Sequence, residues 1–87
     1  MKLQVWNVIN PPNKSSRHNV ATITEALTLI NTMAQIQLMN PRITSNAFGL
    51  EAYDEKEQEW SEWYDEEGND IDAYHLVNGV AILIENY

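Results

Sequence analysis

The N-terminal half of the chain shows two hydrophobic patterns of different period. From Lys2 to Asn10 polar and apolar residues alternate, which predicts a half-buried strand that ends at Pro11-Pro12. The polar segment from Pro11 to Asn19 is predicted to be an exposed loop. From about Ile23 to Met39 apolar residues recur every three or four positions, which predicts an amphipathic helix. Its apolar stripe comprises Ile23, Ala26, Leu27, Ile30, Ala34 and Leu38.

The ends of this helix carry signals of their own. Thr22-Ile23-Thr24-Glu25 matches a capping box, in which the Thr22 hydroxyl accepts from the Glu25 amide and the Glu25 carboxylate reaches back. Asn40-Pro41 ends the helix, because a residue that precedes proline disfavours helical geometry.

Residues 47–77 fit two interpretations. The first is a meander in which turns near 55–57 and at 66–69 join the strands Ala47–Asp54, Gln58–Tyr64 and Asp70–Val77. The second is an acidic helix over 54–67, because the aromatic residues also fit a period of 3.6. The aromatics and the turn chemistry of Gly68-Asn69 favour strands, whereas the many Glu and Gln residues favour a helix. We favour the meander.

The C-terminal segment predicts a hairpin. Val77-Asn78-Gly79-Val80 is a two-residue type I′ turn signal, and the run Val80–Ile84 is apolar enough to predict burial on both faces. The predicted order is therefore β-α-β-β-β-β, an α+β fold with a single helix packed on a mostly antiparallel sheet. At 87 residues the chain is expected to form one domain, 1–87, with one modest core.

Charge is distributed unevenly along the chain. The net charge is −8, yet residues 1–46 carry four cations against Glu25 alone. Eleven of the thirteen acidic residues lie in the acidic segment, residues 51–72: Glu51, Asp54, Glu55, Glu57, Glu59, Glu62, Asp65, Glu66, Glu67, Asp70 and Asp72. A field of this sign repels nucleic acid and attracts basic surfaces, so no direct nucleic-acid binding is expected.

Several kinds of chemistry have no trace in the sequence. Without cysteine there is no thiolate metal site and no disulfide. The Asp65–Asp70 turn superficially suggests a calcium loop, but Trp63 and Tyr74 occupy positions that must ligate. His18 and His75 lack a helical histidine partner, and no nucleophile elbow or phosphate-binding loop is present. Neither a metal, a cofactor nor enzymatic activity is predicted.

The sequence also predicts the location of the protein. The longest apolar run, Val80–Ile84, is far too short to cross a bilayer, so no membrane contact is expected. The first six residues alternate in polarity and lack the apolar region of a signal peptide. A cytoplasmic location is the expectation.

The tryptophans of the acidic segment are ambiguous. Trp60 and Trp63 have opposite parity, so on a strand they point to opposite faces. One of them is expected under the helix with Phe48 and Leu50, and the other on the acid-rich outer face with a tyrosine. An outward tryptophan is either a cross-strand packing partner or an interface anchor.

The stretch Glu57-Gln58-Glu59-Trp60-Ser61-Glu62-Trp63-Tyr64-Asp65-Glu66-Glu67, together with the small size and the acidity, carries a resemblance. It resembles the small inhibitors made by phages and mobile elements, including anti-CRISPR proteins and DNA mimics. Carboxylates on a sheet recur at about 4.8 Å and about 6.8 Å, a spacing comparable with DNA phosphates at about 3.4 Å per strand. The predicted partner-binding residues are Glu57, Glu59, Trp60, Glu62, Trp63, Tyr64, Asp65, Glu66 and Glu67.

Three functions follow as hypotheses. In the first, the protein is a non-enzymatic inhibitor whose acidic–aromatic face occupies the basic nucleic-acid-binding surface of a partner protein. In the second, it is an immunity protein or antitoxin that covers the active site of a nuclease toxin. In the third, it is a small adaptor or subunit whose acids are merely solvated and whose Lys14–Arg17 loop makes the contact.

Overall fold

A computed structural model describes residues 2–84 and contains six strands, one α-helix and one 3₁₀ helix. In chain order these are β1 Leu3–Ile9, β2 Ser16–Val20, α1 Ile23–Leu38, β3 Asn46–Asp54, β4 Glu59–Glu62, the 3₁₀ helix Ile71–Ala73, β5 Tyr74–Val77 and β6 Val80–Leu83. The first four strands form an antiparallel sheet in the order β2-β1-β3-β4, and β5 pairs with β6. Met1 and residues 85–87, which the one-domain prediction includes, lie outside the described part.

The predicted fold class is confirmed, since one helix packs against antiparallel strands and the four predicted strands follow it in order. The loop predicted over Pro11–Asn19 is wrong from residue 16 onward, where strand β2 begins. There β2 pairs with β1 in a register that places Arg17 opposite Trp6 and Val20 opposite Leu3. The segment is polar because an edge strand with exposed side chains has little apolar surface to bury, so its sequence has the composition of a loop.

The acidic segment forms the meander and not the alternative helix. At the turn between β3 and β4, the Asp54 carboxylate accepts hydrogen bonds from the amides of Lys56 and Glu57 at 2.9 and 3.2 Å. Gln58 completes the turn with a φ of 55°, which returns the chain to β4. Strand β4 ends at Glu62, two residues earlier than predicted, and the 3₁₀ helix replaces the start of the third strand.

The core lies between α1 and the helix-facing side of the four-stranded sheet. Val5 and Leu50, which are opposite one another on β1 and β3, are fully buried. Ala26 and Leu27 of α1 cover them, and Ile71 and Trp63 close the core beyond β4. Trp63 is 8% exposed, so the core tryptophan is Trp63.

Helix α1 begins at the predicted residue, with Thr22 Oγ1 accepting from the Glu25 amide at 3.1 Å, whereas the predicted return bond to the Glu25 carboxylate is absent within residues 2–84. At its other end the predicted stripe is wrong, because Leu38 is 86% exposed and Gln37 is 7% exposed. The Gln37 amide donates to Asn7 Oδ1 at 2.7 Å and accepts from Asn46 Nδ2 at 2.9 Å. This polar link turns Gln37 toward the sheet and leaves Leu38 outside.

The C-terminal hairpin has the predicted turn, with positive φ at both Asn78 and Gly79. It packs one face against α1, and the Ala81 amide donates to Thr24 Oγ1 at 3.1 Å. The prediction that β6 is buried on both faces is wrong, because Val80 is 52% exposed and Ile82 is 44% exposed. No helix within residues 2–84 is long and apolar enough to cross a membrane.

Candidate functional site

Within residues 2–84, β4 is the terminal strand of the sheet, so one side of its backbone has no strand partner. The Trp63 amide donates to the Leu50 carbonyl at 2.9 Å, and Ser61 lies opposite Ala52. Backbone groups of an antiparallel strand point alternately to either side. The N–H and C=O of Trp60 and Glu62 therefore point away from β3, toward the free edge.

The side chains of β4 alternate between the two faces of the sheet. Trp60 lies opposite Tyr53 on the outer face, and the two rings meet edge to face with centroids 5.3 Å apart. The Lys2 ammonium lies 5.3 Å from the centroid of the Tyr53 ring. Trp60 is half-buried there, in contrast to Trp63, whose ring lies 5.8 Å from that of Tyr74 on the core side. The outward tryptophan of the acidic segment is Trp60.

Like charges meet beside Trp60. Glu62 lies directly opposite Glu51, and Glu51 accepts from Gln4 at 2.9 Å and pairs with Arg17 at 3.4 Å. Partial desolvation raises the pKa of the Glu62 carboxyl above its usual value. Repulsion raises this pKa further, with neighbouring carboxylates contributing in the order Asp70, Glu51 and Asp72.

Three aspartates of the acidic segment build turns. Asp54 accepts from amides in the turn that follows β3, and Asp70 accepts from the Asp72 amide at the start of the 3₁₀ helix. Asp65 is the most heavily bonded, accepting from the Glu67 and Asn69 amides, from Asn69 Nδ2 and from the Tyr74 hydroxyl.

The hydrogen bonds to Asp65 also set its protonation state. The Tyr74 hydroxyl, 2.6 Å away, makes the largest contribution, and together with the Asn69 and Glu67 donors it lowers the pKa of Asp65 to about 2. The same bond raises the pKa of Tyr74. Asp65, one of the predicted partner-binding residues, is thus committed to the turn that follows β4.

Apart from Glu51, which is half-buried and paired with Arg17, the other carboxylates of the acidic segment are exposed. Seven of them make no hydrogen bond or ion pair within residues 2–84: Glu55, Glu57, Glu59, Glu62, Glu66, Glu67 and Asp72. Lys56 is the one cation in the same stretch of sequence. Lys14 and Arg42 lie on the loops after β1 and before β3, at the opposite end of the sheet from the 55–58 turn.

A groove of about 440 Å³ lies along β3 and β4. The small side chains of Ala52 and Ser61 line it on the helix-facing side of the sheet, and Asp54 and Glu55 add carboxylates. Tyr64, which is 57% exposed, borders it. We call β4 with this groove and the turns at 55–58 and 65–70 the acidic edge.

The structure distributes the predicted partner-binding residues along the acidic edge. Glu57 lies in the first turn; Glu59, Trp60 and Glu62 lie on β4; Tyr64 follows it, and Asp65, Glu66 and Glu67 lie in the second turn. Trp63 is the exception, because it belongs to the core.

Residues in or beside the acidic edge are also missing from the predicted partner-binding set. Glu51 and Tyr53 stand opposite Glu62 and Trp60, and Asp70 and Asp72 come within electrostatic range of Glu62. Glu51 and Tyr53 could have been predicted from the register of β3 on β4, which places them opposite Glu62 and Trp60. Within residues 2–84 no group of three metal-ligating side chains comes together.

No protein-family model, curated protein or solved structure matches the chain. The functional assignment therefore depends on the geometry of the acidic edge.

Proposed function

We propose that this protein is a non-enzymatic binding protein, and that its acidic edge docks on the basic, nucleic-acid-binding surface of a partner protein. The observation that carries the proposal is the set of seven exposed carboxylates without a partner inside residues 2–84. Clustered like charges destabilise the compact state, and a few dispersed charges suffice for solubility. A surface that retains such repulsion is suited to an external cation.

The spacing of the acids suits a surface that binds a polyanion. Directly opposed residues on neighbouring strands, such as Glu51 and Glu62, have Cβ atoms about 4.5–5.5 Å apart. Residues two apart on one strand are separated by about 6.8 Å. These distances are of the order of the phosphate spacing of nucleic acid, so a Lys/Arg surface that grips phosphates can meet several carboxylates at once.

Aromatic side chains give the acidic edge an anchor besides charge. Trp60 is half-buried against Tyr53, which holds its ring in place, and Tyr64 is more than half exposed. Tryptophan and tyrosine are enriched among the residues that dominate interface energies. The charges steer the encounter, and the aromatics supply the contact that persists at higher salt.

The test is capture by the immobilised protein from a lysate of the organism that encodes it, with heparin or duplex DNA as competitor. The expected partner is released by either polyanion, because both occupy the same basic surface. Removing three charges with Glu59→Gln, Glu62→Gln and Glu66→Gln should weaken the purified complex about tenfold, at about 0.5 kcal/mol for each exposed charge.

The matched control places the same change in net charge elsewhere. Asn31→Lys, Thr32→Lys and Gln35→Lys add three positive charges on exposed positions of α1. This variant should retain the partner. Retention of the partner by the triple glutamine variant, or indifference of the complex to both polyanions, contradicts the proposal.

A further inference from the structure

The acidic edge offers backbone hydrogen bonds as well as charge. Within residues 2–84, β4 pairs with β3 alone, so the N–H and C=O groups of Trp60 and Glu62 have no strand partner. An unpaired edge of this kind is a template on which another extended chain can add as a strand. The opposite edge of the sheet is β2, which carries Arg17 and His18. The two edges therefore differ in charge.

Space for the side chains of an added strand exists on both faces beside β4. A strand at about 4.8 Å from β4 directs its side chains alternately to the two faces of the sheet. On the helix-facing side they meet the groove lined by Ala52, Ser61 and carboxylates. On the outer side they meet the Trp60 indole and the Glu62 carboxylate, where a guanidinium group can stack and pair.

We propose that the partner contributes an extended segment rich in arginine or lysine, which pairs with β4 as a fifth strand of the sheet. The charge of the acidic edge selects a basic occupant, and the unpaired backbone of β4 selects an extended one. This inference rests on the proposed function and specifies how the same surface recognises its partner. A rigid basic surface of a folded protein is the alternative that the experiment must separate from it.

The experiment uses the ¹⁵N-labelled protein and a synthetic peptide of alternating arginine and threonine, with amide hydrogen exchange as the readout. Strand pairing should slow exchange at Trp60 and Glu62, whose amides face the free edge. It should leave Ser61 little changed, because that amide already faces β3. Protection that alternates along β4 in this way is a signature that charge attraction alone does not produce.

Two comparisons isolate the two parts of the recognition. A peptide with the same side chains but methylated backbone amides should bind at least about tenfold more weakly, a loss of about 1.4 kcal/mol. The variant Glu59→Gln/Glu62→Gln should bind the unmodified peptide more weakly than Glu66→Gln/Glu67→Gln, which removes two charges from the turn beyond β4.

Equal binding of the methylated peptide, or uniform exchange along β4, overturns the strand-pairing inference, and so does the absence of binding. The proposed function is tested separately, by the capture experiment with heparin or DNA as competitor on the intact partner. The two proposals can fail independently. If the triple glutamine variant loses the partner but the peptide causes no alternating protection along β4, the proposed function is supported and strand addition is refuted.

Discussion

The buried polar link between α1 and the sheet makes a sharp test of the packing. Gln37 is 7% exposed, and it joins Asn7, which is 3% exposed, to Asn46. Gln37→Ala removes the donor to Asn7 Oδ1 and leaves that oxygen buried without a partner. An orphaned buried group costs about 1–3 kcal/mol, and the lost methylene adds about 0.8 kcal/mol. We expect a loss of about 2–4 kcal/mol.

The neighbouring residue provides the control. Leu38 lies on the same turn of α1 but is 86% exposed, so Leu38→Ala should change the free energy of unfolding by less than about 0.5 kcal/mol. Both substitutions introduce alanine at adjacent helix positions, which largely cancels the effect of helix propensity. Any difference between them reports burial and hydrogen bonding.

The assay is urea unfolding followed by far-UV circular dichroism, with the midpoint compared at a common slope. In thermal unfolding the Gln37→Ala variant should melt about 10–30 °C lower, at about 4–8 °C per kcal/mol for a domain of this size. Equal stabilities of the two alanine variants would refute the reasoning. The double variant Asn7→Val/Gln37→Leu should cost less than the sum of its single changes, because it leaves neither partner unsatisfied.

Three further predictions follow from single side chains. A Cβ at Gly49 would overlap the Trp6 indole, so Gly49→Ala should lower the free energy of unfolding by about 1–3 kcal/mol. In a double-mutant cycle Trp6→Leu should relieve that loss, and additive effects of the two substitutions would contradict the contact. The folded pKa of Asp65, about 2, lies below its unfolded value, so its contribution to stability is present above about pH 4 and is lost as the pH falls toward 2. Tyr74→Phe should raise the Asp65 pKa in an NMR titration and reduce the stability lost over that range, and an unchanged titration refutes the role of the hydroxyl. Gln58 has a φ of 55°, in the left-handed region that favours glycine. Gln58→Gly should therefore stabilise the protein by up to about 1 kcal/mol, and Gln58→Val should destabilise it. The reverse order of stabilities in urea unfolding excludes strain at this turn.

The elements that could be predicted from the sequence are those whose signals are local. The Thr22 cap, the helical period that follows it and the Asn78-Gly79 turn each involve residues a few positions apart. The stability of each of these elements depends on backbone geometry and nearby side chains, so each can be predicted without knowledge of distant contacts. The charge of the acidic segment can likewise be counted directly from the sequence.

Long-range pairing decided what the local patterns could not. The largely polar residues 16–20 form a strand because they pair with β1. Gln37 rather than Leu38 faces the sheet because its side-chain amide is hydrogen-bonded to Asn7 and Asn46. The register of β4 on β3 sent Trp60 outward, while the chain leaving β4 carried Trp63 into the core. The sequence by itself determined the helix, the terminal hairpin and the acidity of one region. The aspartates that build turns do so through residues close in sequence, since Asp54, Asp65 and Asp70 bond to amides two to four positions along the chain. Only the tertiary structure decided that the other acids lie along an unpaired edge, because that depends on how β4 pairs with β3 and on which further strands pair with it within residues 2–84.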